Sequence, residues 1–320
     1  MRPSIRIVAA RSNIPAGVGC VQAGFSIVEL MVAVTISLII LSALVGVLFS
    51  SSSTSMTRER HSELQTNGRY AIEEIKKDLL HSGYLGISSV FSPDQPIAPG
   101  IAVANVCDAA LVGQLSRRIW GAEDNNPFAA TCIPAAMYAR GDVLVIRGLN
   151  PAAPAALLPA VVYYHSAYEG GQPFVGTTPP NFVGTAKQPP YLDFRLDETV
   201  YFISPYTVSA AESPLVPALY RARLDAGPAM VRELVASGVE HLKVRYGVFQ
   251  ANDTVRYMAA DEIAAADWDL VRSVQVLLLM RASSGEVGYR NTTTYAMGEN
   301  YVVNDNFPRL LMTSVVQLRN

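Results

Sequence analysis

Residues 25–49 read FSIVELMVAVTISLIILSALVGVLF, an apolar run broken by a single charge, Glu29. A run of that length is enough to cross a hydrocarbon layer of ~30 Å, which needs about 20 helical residues. A helix buried in a soluble core is rarely apolar on every side for so long. Whatever else this chain builds, it must find lipid, or equally apolar helices, for that segment. Ahead of it stand Arg2, Arg6 and Arg11, with no acidic residue before Glu29. Basic residues flanking a first span hold their side in the cytoplasm. Arg58 and Arg60 follow the span, but acidic residues are mixed among them. The expected topology is a cytoplasmic N-terminus, one pass through the inner membrane, and the bulk of the chain outside it.

The start of the run carries two further signals. A secretory signal peptide places its apolar region before the cut. Here the Gly24-Phe25 step lies at the cytoplasmic edge of the span, so a cut there would remove the basic leader and keep the span. Glu29 is an ionisable group a little over one turn into that span. It costs at least a few kcal/mol there, which makes it a functional residue by default. Its natural partner is a cation at similar depth, and the α-amine of Phe25, freed by such a cut on a neighbouring subunit, is one. A buried charge pair of this kind is better attested as setting alignment than as adding stability. The alternatives are an incidental carboxylate facing a helix partner, and for Gly24 an ordinary flexible linker.

Gly24-Phe25-Ser26, the apolar run and Glu29 resemble the class III signal of type IV pilins and type II secretion pseudopilins. The resemblance implies that a membrane prepilin peptidase cuts after Gly24 and N-methylates Phe25, and that Glu29 becomes the fifth mature residue and sets subunit registry.

Beyond the span, Leu64, Ala71, Ile72, Ile75 and Leu79 recur at the spacing of one apolar helix face, and Gly83 is a natural stop. Gly46 and Gly68 are possible weak points, since glycine costs about 1 kcal/mol in a helix interior. Three regions follow: a leader over 1–24, a long helix over 25–82 with its membrane span at about 25–49, and a β-rich part over 83–320. Residues 143–147, 161–165, 199–204 and 219–224 read as strands between turn signals. Residues 242–248 alternate strictly, predicting a strand with one face half-buried, and Asn252-Asp253 turns it toward 255–257. Residues 271–280 predict a central strand, 310–318 the last one, and the Pro-rich 150–190 loops around one or two short strands. The expected fold class is α+β: one long N-terminal helix, then a mainly antiparallel, pilin-like β-sheet head.

Residues 71–86, 141–148, 233–248, the segment DWDLVRSVQVLLLMRAS from Asp267, and the ending Val315 to Asn320 resemble PilW-type minor pilins. That likeness implies a structural subunit that takes part in initiating a type IV pilus. Its implied partners are the prepilin peptidase, the major pilin and other minor pilins, the inner-membrane assembly platform and a tip adhesin carried on the complex. After residence in the inner membrane it would reach the pilus at the cell surface.

The composition agrees with this and excludes little else. With 320 residues and a formal charge of −2, the chain can bury a sizeable core and gives no electrostatic reason to expect nucleic acid as a partner. Cys20 belongs to the leader, leaving Cys107 and Cys132. An even pair in an exported domain suggests a disulfide, with two buried free thiols as the alternative. No catalytic motif is present, and His61, His81, His165 and His241 show no metal-ligand spacing. No cofactor or metal is expected, and Gln250 to Thr254 offers too few oxygens for calcium. Asp193, Asp197 and Glu198 could form an acid/base pair but read better as solvated turn residues. Tyr163, Tyr164 and Tyr168 read as core or rim rather than as an adhesive patch. Two other readings remain: a J-type pseudopilin of type II secretion, and a membrane-anchored periplasmic enzyme or binding protein.

Overall fold

The computed structural model describes residues 24–88, 107, 117–225, 227 and 229–318. The leader residues Arg2, Arg6, Arg11 and Cys20, and the terminal Arg319 and Asn320, lie outside the described residues. The chain divides into two compact units, Met1–Met56 and Thr57–Asn320.

One helix, α1 (Ile27–His81), contributes to both units. In the first unit every described side chain from 24 to 56 is exposed, from Phe25 at 80% to Phe49 at 73%. The helix there is long and apolar enough to cross a membrane. Within the second unit α1 is amphipathic, as the spacing predicts: Leu64, Ala71, Ile75 and Leu79 are buried, while Arg69, Tyr70, Glu73 and Lys77 face water. It stops where expected. Gly83 takes φ +72°, a left-handed conformation that glycine adopts cheaply, and its N–H donates to the carbonyl of Arg147 at 2.9 Å.

Among the described residues of the second unit are thirteen strands, all in antiparallel pairs. Seven form one sheet: β1 (Ile119–Ala122), β2 (Val143–Leu149), β3 (Val162–Ala167), β4 (Gly170–Val175), β5 (Leu192–Ser204), β6 (Ala218–Leu224) and β7 (Met230–Ser237). The thirteen-residue β5 is its hub, pairing with β2 and β3 and also with β6. A four-stranded sheet runs in the order β13 (Arg309–Gln317), β10 (Val271–Arg281), β8 (Val239–Phe249), β9 (Val255–Met258). The apolar β10 is therefore central, as its composition leads one to expect. β11 (Thr294–Met297) and β12 (Glu299–Val302) form a separate hairpin. The fold is α+β, with two short strands, β3 and β4, inside the Pro-rich stretch.

The core explains the burial. The apolar face of α1 shares one cluster with Leu144, Ile146, Tyr201 and Ile203 of the seven-stranded sheet and with Leu242, Val244, Tyr246, Val274, Val276 and Leu278 of the four-stranded one. The opposite face of the larger sheet, with Val143, Val145, Val200 and Phe202, is covered by Leu85, Phe128, Ile133 and the Cys107–Cys132 disulfide. Strands covered on both faces bury every residue, as β2 does.

The strand at 242–248 departs from expectation, because both its faces are buried. Lys243 and His241, opposite the helix, lie beneath Glu123, Asp124 and Tyr301. Alternation reports side-chain polarity, and here loops remote in sequence bring partners that let the polar face be buried. Gly68 also differs: it is buried rather than merely weak, and a Cβ there would stand 2.3 Å from Met312 Sδ and 3.1 Å from a Met280 carbon. Glycine at that turn lets the helix backbone approach β10 and β13.

Candidate functional site

The N-terminal site begins just before α1. Gly24, Phe25 and Ser26 are non-helical, and Ser26 starts the helix, its hydroxyl accepting from Val28 N–H at 3.3 Å and its carbonyl from Leu30 N–H at 3.0 Å. Glu29 falls in the first turn, where unpaired N–H groups favour a carboxylate. It is nevertheless exposed, as are Phe25, Ile27 and Val28 around it. Gly24 has no positive φ, and a Cβ built on it meets nothing within 4 Å. Nothing in the chain's own described fold asks for glycine there.

The acidic residues of β5 do not occupy a turn, which corrects the reading of Asp193, Asp197 and Glu198 as solvated. All three lie in the strand, Asp193 beside a histidine and the other two beside arginines. Asp193 Oδ1 stands 2.6 Å from His165 Nδ1, Asp197 lies between Arg195 and Arg223, and Glu198 is buried beside Arg147. His165 is thus a hydrogen-bonding histidine, enclosed by Phe174, Phe182 and Tyr191. Tyr163 and Tyr164 are core residues, whereas Tyr168 is half-exposed at the rim.

Two polar centres in the β-rich unit are invisible from sequence. Lys243, almost fully buried, reaches Glu123 at 2.5 Å, Asp124 at 2.9 Å and Asp142 at 3.4 Å. Burial alone would push its ammonium down, but the bonds from Glu123 and Asp124 outweigh that and hold it above its ordinary range. The Asp142 carboxyl is raised by burial, while its oxygens accept from the Val244 and Asp124 amides. At the end of α1, Asp78 accepts from the Tyr201 hydroxyl at 2.7 Å, and burial raises both groups. These networks join elements: turn to strand in one case, helix to sheet in the other. Nothing in the sequence signals the first, because Glu123 and Asp124 follow β1, Asp142 precedes β2, and Lys243 lies in β8 of the other sheet. Among the described residues no three His, Cys, Asp or Glu side chains are grouped to hold a metal.

The comparisons fall on the same two parts of the chain. Residues 20–45 match the family described as Prokaryotic N-terminal methylation motif, a stretch that contains Gly24, Phe25 and Glu29. Residues 200–320, from the second half of β5 to the end, match Type IV Pilus-assembly protein W. No curated protein and no solved structure matches the chain.

Proposed function

We infer that this chain is a PilW-type minor pilin, a structural component that takes part in type IV pilus assembly together with other pilins and the assembly machinery. One observation carries the reading: an apolar helix exposed on all sides, preceded by a glycine its own fold does not need and bearing one carboxylate in its first turn. The match to pilus-assembly protein W favours this over a J-type pseudopilin of type II secretion.

In the proposed sequence of events the chain is inserted with its leader in the cytoplasm and residues 25–49 in the inner membrane. A prepilin peptidase cuts between Gly24 and Phe25 and methylates the new amine. Glu29 then meets the amine of an adjacent subunit as the helix leaves lipid for the filament. Desolvation makes an unpaired carboxylate costly in that setting, so only the aligned docking is favourable. Retaining Glu29 argues against the outermost tip, where no subunit lies ahead to pair with it. The assembly platform and a tip adhesin complete the set of partners. The β-rich unit serves as a docking body, its buried charges such as Lys243 and Arg309 paired with carboxylates across elements.

Glu29→Gln and Glu29→Lys test the registry role. Both proteins are expected to be cleaved normally, yet to enter filaments at least tenfold less than the parent, Glu29→Lys the more severely. Quantifying the chain in sheared pili by immunoblot reads this out, and undiminished incorporation of both variants contradicts it.

A further inference from the structure

The edge strand of an open sheet carries a row of backbone N–H and C=O groups that pair with another chain unless something covers or guards them. Most of the described edges are guarded. β1, β9, β11 and β12 are four residues long, β4 contains Pro173, and β7 carries Arg232 and Glu233 side by side. β13 differs. It has nine residues, RLLMTSVVQ, paired with β10 in a register without a bulge and with no strand on its other side. Its one charge does not guard it, because the Arg309 side chain is turned inward onto Glu240 and Asp305 and is 2% exposed.

The register says which groups are open. Leu318 N–H donates to the Arg272 carbonyl at 2.9 Å, and Ala282 N–H to the Pro308 carbonyl at 3.0 Å. Bonding alternates along an antiparallel strand, so these two contacts make the even-numbered residues of β13 the ones bonded to β10. The backbone N–H and C=O groups of Leu311, Thr313, Val315 and Gln317 therefore point away from β10, and they meet no partner among the described residues. Thr313, Val315 and Gln317 are exposed, Val315 at 50%. We propose that this edge is a strand-addition site for an extended, uncharged, proline-free segment of a different protein, which continues the four-stranded sheet beyond β13.

The chemistry selects that occupant. An open backbone edge is read by another backbone: main-chain bonds supply affinity, and side chains alternating on the two faces supply choice. The open residues extend over about 20 Å of strand, the length of a peptide of about seven residues. Leu311 and Val315 stand on one face and Met312 on the other, so apolar side chains opposite them are favoured and a charge is not. Proline would lack the N–H that the open carbonyls need. Lipid has no groups to bond the edge. A second copy meets a topological obstacle. β13 pairs with itself antiparallel about an axis normal to the sheet. α1 lies along the face of that sheet, with Leu64 to Leu79 in its core and Gly68 against Met280 and Met312, so the axis turns α1 end for end. The membrane-spanning residues precede this stretch in the same helix, and two copies so related would have to enter one membrane from opposite sides. That exclusion rests on the proposed function.

The test uses the full-length chain in its own cells, with p-benzoylphenylalanine introduced in place of Gln317 and, as a control, of Val183, 82% exposed on a loop. The expected adduct forms from position 317 alone. Its cross-linked peptide belongs to a different protein and reads as an uncharged, proline-free run. Variants at Thr313 then separate backbone pairing from ordinary side-chain contact. Thr313→Ala keeps the outward N–H and should leave the adduct undiminished. Thr313→Pro removes that N–H without touching a bond to β10, and should cut the adduct at least tenfold in protein that still melts cooperatively. Thr313→Lys, a surface change that leaves folding intact, should cut it equally by guarding the edge. Adducts with lipid or with this chain itself, equal yields at 183, an adduct lost in Thr313→Ala, or one that survives Thr313→Lys would each overturn the proposal. The same samples report the state of the N-terminus. Processed protein with a silent position 317 refutes this inference alone, whereas unprocessed protein refutes the proposed function.

Discussion

Glu29 and Glu212 show how differently two carboxylates can be employed. Glu29 has an apolar neighbourhood and no reason within its own fold beyond the helix terminus, so its partner is sought in another subunit. Glu212 is occupied entirely at home. The Thr207 hydroxyl and the amides of Thr207, Val208 and Ser209 hold its carboxyl at about 2, below the usual 4.5. A folded-state value below the unfolded one means that the loop's order is fully present above pH 4.5 and is lost as pH falls toward 2. Side-chain carboxyl NMR should therefore find the Glu212 midpoint near 2, with the Thr207 and Val208 amides changing in step; a midpoint near 4.5 would show that the carboxylate is not so engaged. Of these two residues only Glu29 was legible in the sequence, because a charge inside an apolar run is conspicuous. Glu212 looks like any loop acid until the chain is seen to fold back on it. Lys243 was equally hidden, since its three carboxylates arrive from the turn at 123–124 and the start of β2.

At the scale of elements, the long helix and the central strand β10 were written plainly in periodicity and composition. What was not legible is how they meet. Gly68 reads as a defect in a helix, yet it marks the turn at which α1 comes against Met280 and Met312. Gly68→Val should destabilise the β-rich unit by about 1–3 kcal/mol through overpacking, although glycine replacement in an isolated helix would stabilise it. The sign of that change in a urea melt decides between the two accounts, and a gain in stability would show the helix to be less closely seated. The four-residue strands β1, β11 and β12 escaped notice because so few residues cannot display alternation. The turn of Asn252-Asp253, with Asp253 at φ +59°, was by contrast signalled by its own residue types.

For the molecule as a whole, Cys107 and Cys132 are joined across 25 residues on the far face of the larger sheet. Closing a loop of that length stabilises by roughly 3 kcal/mol in the chain-entropy model. Cys107→Ser with Cys132→Ser is expected to cost about that much in equilibrium unfolding under oxidising conditions, and to match the parent once both are reduced; a difference that survives reduction would assign the loss to serine in the core instead. On the proposed function, the β-rich unit, so secured, meets other subunits, while the exposed apolar helix commits the chain first to a membrane and then to a filament. The second commitment depends, on that reading, on a single processing step at Gly24. The most direct measurement is the mass of the N-terminal peptide of this chain recovered from sheared cell-surface pili. The account predicts a peptide beginning at N-methylated Phe25. A peptide that retains the leader residues before Gly24, in filaments otherwise normal, would contradict it.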